Sequence, residues 1–183
     1  VVLSPCDHIE AKKATIAAAQ TKTPVYIRLA RDKTPAITTK KTPFEIGKAQ
    51  IFFSPEKGIA QIGIIATGAL VHKALVVARD FSEKGIAVKV LNLSTIQPLD
   101  EEAIIALAKE TGALVTVEEH QIRGGMGSAV AECITKHHPV PIEFVGVDDV
   151  FGQSGTPAEL IEHYGMGEKS IASAVKKAIE RKK

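Results

Sequence analysis

From Ile62 onward, short apolar runs of strand length alternate with stretches whose apolar residues recur at helical spacing. Ile62 to Ala66 is a near-continuous apolar run, and Val88-Lys89-Val90-Leu91, Leu114-Val115-Thr116-Val117 and Ile142 to Val147 follow it. Runs of this kind suit strands covered on both faces, because a strand with one wet face would alternate apolar and polar residues. Between them, Leu70, Val71, Ala74, Leu75, Ala78 and Phe81 mark an amphipathic helix that Gly85 ends. Asp100 caps a second helix carrying Ile104, Ile105 and Ala108, with Gly112 at its end. Met126 to about His137 is a third. Thr156-Pro157-Ala158-Glu159 opens a short one, with Pro at the first helical position and Glu three residues after the cap. Ile171, Ala174, Val175 and Ala178 mark the last. This alternation dictates an α/β fold: a mostly parallel sheet, right-handed crossovers and helices on both faces.

The preceding residues read differently. Ile46 to Phe53 and Ile59 to Ala66 are apolar segments joined by Ser54-Pro55-Glu56-Lys57-Gly58, a spacing that suits a hairpin and predicts one antiparallel edge strand. Asp7 followed by Glu10 predicts a capping box opening a helix to about Lys22. Pro24 stops it, and Val25 to Leu29 reads as a strand. With Val1-Val2-Leu3 this makes a partial β-α-β unit, too small to bury its own strands, so a partner sheet from upstream sequence is expected. Three segments are therefore expected: 1–31 as an incomplete unit, 32–45 as a Thr-, Lys- and Pro-rich linker, and 46–183 as the main domain.

Composition narrows the function. Apolar residues make up 45% of the 183, enough for a core without metals or disulfides. A net charge of +2 gives no footprint for nucleic acid. The longest apolar run is interrupted by Thr67, Gly68 and His72, too early to span a bilayer. Cys6 and Cys133 have no metal-ligand spacing and make no disulfide framework, which fits a reducing, cytoplasmic setting.

In open α/β sheets, ligands bind beyond the carboxyl ends of the strands. Glu118-Glu119-His120 follows a strand there, and Gly124, Gly125 and Gly127 lead into a helix. Two readings stand. The segment is an anion site built on helix amide groups, or a tight turn packed against another domain or subunit. Acidic side chains beside the turn would repel an anion and favour the second. Arg28 and Arg31 flank a strand end, and one of them holds an acidic substrate group or forms a domain-interface ion pair.

Five segments in order resemble the transketolase family: Ser4-Pro5-Cys6-Asp7 with Glu10; Pro24 to Arg31; Asn92 to Asp100; Val117 to His120 with Gly124 to Val130; and Phe151 to Leu160. The resemblance covers nearly the whole chain and extends to sister enzymes, 1-deoxyxylulose-5-phosphate synthase and the beta subunits of 2-oxo acid dehydrogenases. It implies the end of a pyrimidine-binding domain followed by a transketolase-like C-terminal domain. It implies a dimeric transferase moving a two-carbon ketol unit between sugar phosphates with thiamine diphosphate and Mg²⁺. The family's cofactor motifs, a Gly-Asp-Gly and an activating Glu upstream, are not in these residues, so no cofactor binding and no catalytic residue are expected of this segment alone. The upstream half, on the same chain or a separate subunit, is the expected partner. Arg31 matches the family's substrate-phosphate arginine, although Ala30 stands where transketolases often have Ser. A non-catalytic assembly or regulatory domain is the alternative from another class.

Overall fold

The computed structural model describes residues 1–56 and 58–182. Among these residues, eight strands form two sheets: β1 (Val2–Leu3), β2 (Tyr26–Ile27), β3 (Gln50–Phe53), β4 (Ile62–Ala66), β5 (Val88–Asn92), β6 (Thr95–Gln97), β7 (Leu114–Gln121) and β8 (Ile142–Val147). Six α-helices connect them: α1 (His8–Ala18), α2 (Val71–Glu83), α3 (Glu101–Thr111), α4 (Met126–His137), α5 (Pro157–His163) and α6 (Glu168–Arg181).

The main sheet has the order β3-β5-β4-β7-β8, parallel throughout except for β3. The period-two geometry of a strand sorts its side chains onto two cores. Ile62, Ile64 and Ala66 face α2 and α6, packing with Val71, Ala74, Phe81, Ile171 and Val175. Ile65 faces α3 and α4, with Ile104, Leu107, Val130 and Ile134. Gly63 shares that face because a Cβ there would lie 2.8 Å from Leu107 and Leu114. Burying each Ile or Leu contributes about 1.5–3 kcal/mol, so the two cores lock α2 and α6 on one side and α3 and α4 on the other.

An antiparallel edge strand is present, but the expected hairpin is not. β3 pairs with β5 instead of β4. Both flanks of β4 are taken by parallel partners, so the free slot lies beyond β5, two strand spacings or roughly 10 Å away. Of the expected turn residues, Lys57 lies outside the described residues.

The small sheet has the order β2-β1-β6. β1 runs parallel to β2 and antiparallel to β6. The N-terminal β-α-β unit therefore takes a partner strand from this chain, where upstream sequence was expected to supply one. The flanking bonds Ser4 N–H to Ser94 O (2.8 Å) and Gly68 N–H to Ser4 O (3.2 Å) extend the seam.

The predicted capping box at α1 forms only half. Asp7 Oδ1 accepts the N–H groups of Ile9 (2.9 Å) and Glu10 (2.8 Å), as an N-cap should. Glu10 does not return to the Asp7 N–H. Its carboxylate accepts Cys6 N–H (2.6 Å) and the Asn92 side-chain amide (2.8 Å), and is 2% exposed. Asp7 also accepts from Ile37 N–H, Thr38 N–H and the Thr38 hydroxyl, at 2.6–2.8 Å. The segment read as a linker is tied down at Thr38, which is itself buried. The helix ends at Ala18, short of the expected Lys22, and the following strand is confined to Tyr26–Ile27.

Candidate functional site

β7 runs to Gln121, past the expected end at Val117, because Gln121 still pairs with Val147 of β8. The register shifts between Val117 and Gln121, and Glu118 turns inward there, 3% exposed. Helix α4 has no capping side chain at Gly125, its N-cap position. Glu118 fills that role from a distance: Oε2 accepts Met126 N–H and Oε1 accepts Gly127 N–H, both at 2.7 Å. A negative group at a helix start is favoured by the macrodipole. Burial pushes the Glu118 carboxyl up, the two amides and the nearby His120 and Arg28 charges pull it down, and burial prevails.

The glycines make this contact possible. A Cβ on Gly125 would run into Gln121 O and Glu118 Oε2, and one on Gly127 would lie 2.7 Å from Thr116 Oγ1. Gly124 adopts φ +76°, a left-handed conformation that suits glycine. Glu119 is half-buried and His120 exposed.

Glu119, His120 and Gln121 line a cleft of about 1030 Å³. Arg28, Arg31 and Lys33 line it as well, together with Gln153 and Ser154. His72 and Lys73, at the start of α2, also face it. The structure thus brings Arg31 and His120 into one cavity. No local signal announces this meeting, because the cleft walls come from distant segments of the chain. Gly124, Gly125 and Gly127 lie outside that lining. His120 Nδ1 is 2.9 Å from Gln121 O. A carbonyl can only accept, so Nδ1 carries the hydrogen and Nε2 is the ring's free nitrogen. Among the described residues, no three His, Cys, Asp or Glu side chains converge on a metal position.

Residues 56–171 match the family model described as transketolase, C-terminal domain. The 6-deoxy-6-sulfo-D-fructose transketolase subunit SqwH of Clostridium sp. (strain MSTE9) is 42% identical over 87% of this chain and 48% of its own length. Transketolase-like protein 2 of Mus musculus is 36% identical over 97% of this chain, but only 28% of that protein is covered. A solved structure titled as a split-gene transketolase, inactive beta4 tetramer, superposes with a TM-score of 0.93 at 38% identity, over all of this chain and 58% of that one. The chain belongs to the transketolase family, whose C-terminal domain it carries. It spans about half the length of the first of these relatives and less of the second.

Proposed function

We propose that the chain is the C-terminal part of a transketolase, a transferase that moves a two-carbon ketol unit between sugar phosphates once joined to an upstream half. The observation that carries this reading is the superposition of the whole chain on a split-gene transketolase. Residues 1–31 complete a pyrimidine-binding domain, 32–45 connect, and 46–183 form the C-terminal domain. Thiamine diphosphate and Mg²⁺ belong to the upstream half, and the complete enzyme is a cytoplasmic homodimer of such pairs. The Glu118-to-Gly127 turn shapes an interface with another domain or subunit.

The chain alone is expected to show no ketol transfer and no saturable heat on titration with thiamine diphosphate and Mg²⁺. Adding the upstream half should restore activity, with a sedimentation shift marking assembly. Activity from the chain by itself, or a mixture that neither associates nor reacts, would defeat the proposal.

Arg31 is the proposed substrate-phosphate residue, exposed at the cleft rim beyond β2. In the assembled enzyme Arg31→Ala removes a charge-assisted fork and should cost about 1.5–3 kcal/mol for phosphorylated substrates, roughly tenfold to a hundredfold in kcat/KM. Unphosphorylated substrates should hardly change. Equal losses for both would assign Arg31 to a structural ion pair.

A further inference from the structure

Every residue from Asp148 to Glu159 is exposed, and Phe151 among them is 100% exposed. Among the described residues no other large apolar side chain is so open to water, and its neighbour Val150 is 51% exposed. A wet ring on a loose loop would say little, because single exposed apolar residues are ordinary. This stretch is not loose: it is fastened on both sides of the ring. Before it, Asp149 N–H donates to Gln121 Oε1 (2.9 Å), and Arg123 Nη1 lies 3.5 Å from Asp149 Oδ2. Asp149 is held there at φ 52°, a left-handed conformation uncommon outside glycine. At the ring itself, the Tyr164 hydroxyl donates to Phe151 O (3.0 Å). After it, Thr156 and Glu159 close the capping box of α5. The backbone is set while the side chain is left in water.

A backbone ordered in advance spares association the cost of ordering it, and buried aromatic rings are frequent anchors of protein interfaces. The place of this ring points to what covers it. Its chain neighbours Val150, Gly152, Gln153 and Ser154 line the same cleft as Arg31. On the transketolase reading, one sugar phosphate reaches from Arg31 to the cofactor, so the half that carries the cofactor abuts this cleft. The relatives contain the material for such a cover: the matched part is 48% of the Clostridium subunit, so about half of it has no counterpart here. Gln121 and Arg123, which hold Asp149, belong to the Glu118-to-Gly127 turn already assigned to an interface. Ring and turn therefore present one continuous surface.

We propose that Phe151, with Val150 beside it, is the aromatic anchor by which this chain docks onto the upstream half, the ring seating in an apolar pocket of that polypeptide. The proposal rests on the transketolase reading for the identity of the partner. Tyr164 is a positioning residue: through its bond to Phe151 O it fixes the direction in which the ring is presented.

Sedimentation equilibrium of the full chain, alone and with the upstream half supplied as a separate polypeptide, tests the anchor without needing turnover. Phe151→Ser should weaken association with that half about thirtyfold, as loss of an interface hot spot does. Phe151→Leu keeps apolar bulk and should fall between parent and Phe151→Ser. Tyr164→Phe leaves the anchor in place but frees its backbone, and should cost roughly fivefold. Denaturant midpoints of the Phe151 variants should match the parent, because the ring has no cover within the chain to lose. Ile59→Ser is the control: it lies ahead of the amino end of β4, whereas the cleft lies beyond the carboxyl ends of the strands, and its affinity should equal the parent's. Affinity unchanged in Phe151→Ser, or an equal fall in Ile59→Ser, overturns the proposal. So does a Phe151→Ser chain whose self-association falls while its affinity for the upstream half holds, which makes a second copy the occupant. A parent chain that does not bind the upstream half overturns both the proposal and the transketolase reading. Weakened binding in Phe151→Ser, with no ketol transfer by the parent complex, retains the anchor and refutes that reading. Ketol transfer with unchanged affinity does the reverse.

Discussion

Asp7→Ala is expected to lower the unfolding free energy by about 4 kcal/mol, from the worth of a helix cap plus bonds to a buried charge. The carboxylate accepts five hydrogen bonds, two from the first turn of α1 and three from Ile37 and Thr38. Alanine leaves these donors facing a cavity in which Asp7 was 4% exposed. The same bonds set a pH dependence. Burial pushes the carboxyl up, but the Glu10, Thr38 and Ile37 donors hold it below the ordinary aspartate value of 3.8. A depressed folded pKa stabilises above the unfolded value, and that stability is lost as pH falls through the folded one. Urea unfolding should therefore show the gap between parent and variant wide at pH 7 and narrowing as the pH drops below about 4. Asp7→Asn, with one accepting oxygen, should lie between them. A loss under about 1 kcal/mol at pH 7, or a gap that widens in acid, would contradict this account.

Gly125→Val should cost about 3 kcal/mol, the upper range for forcing atoms into a packed site. The new side chain meets Glu118 Oε2 and Gln121 O, so either the α4 start moves or Glu118 leaves it. If Glu118 leaves, the Met126 and Gly127 amides lose their partner and a buried carboxylate loses its donors. Gly152→Ala is the control, since a Cβ there has nothing within 4 Å and the backbone is not left-handed. Because the clash lies within one chain, denaturant midpoints of the isolated chain should fall along with any loss of assembly. A variant that keeps its midpoint and loses only association would place the role of Gly125 between subunits instead.

What could be read from the sequence was what neighbours along the chain decide. Helix α2 with its Gly85 stop, α3 between Asp100 and Gly112, and α5 with its Thr156 box all follow from local spacing, and all are present. The two-sided cover of the sheet followed from the unbroken apolar runs. Pairing between distant segments was not legible. Nothing near Thr95 announces a strand that will join Val2, and the turn after Phe53 resembles a hairpin loop although β3 pairs across β5. Glu10 has the right offset for a capping box, yet Asn92, 82 positions away, captures it. For the cleft, Arg28, Arg31 and His120 stood out in the sequence only as separate candidates. Their meeting depends on how β2 and the end of β7 are brought together, which no window of residues encodes.

The strand β1, paired on one side with β2 and on the other with β6, has a mechanical consequence. The wall bearing Arg28 and Arg31 and the wall bearing His120 are laced to one another by backbone hydrogen bonds on both edges of a two-residue strand, by Ser4 to Ser94, and by Asn92 to Glu10. Rotating one wall away from the other would break that whole set together. The separation of the two walls is therefore set by strand pairing when the chain folds. A ligand would enter an opening already made, and selectivity there would come from fit and charge with no jaw-like closure of one wall upon the other.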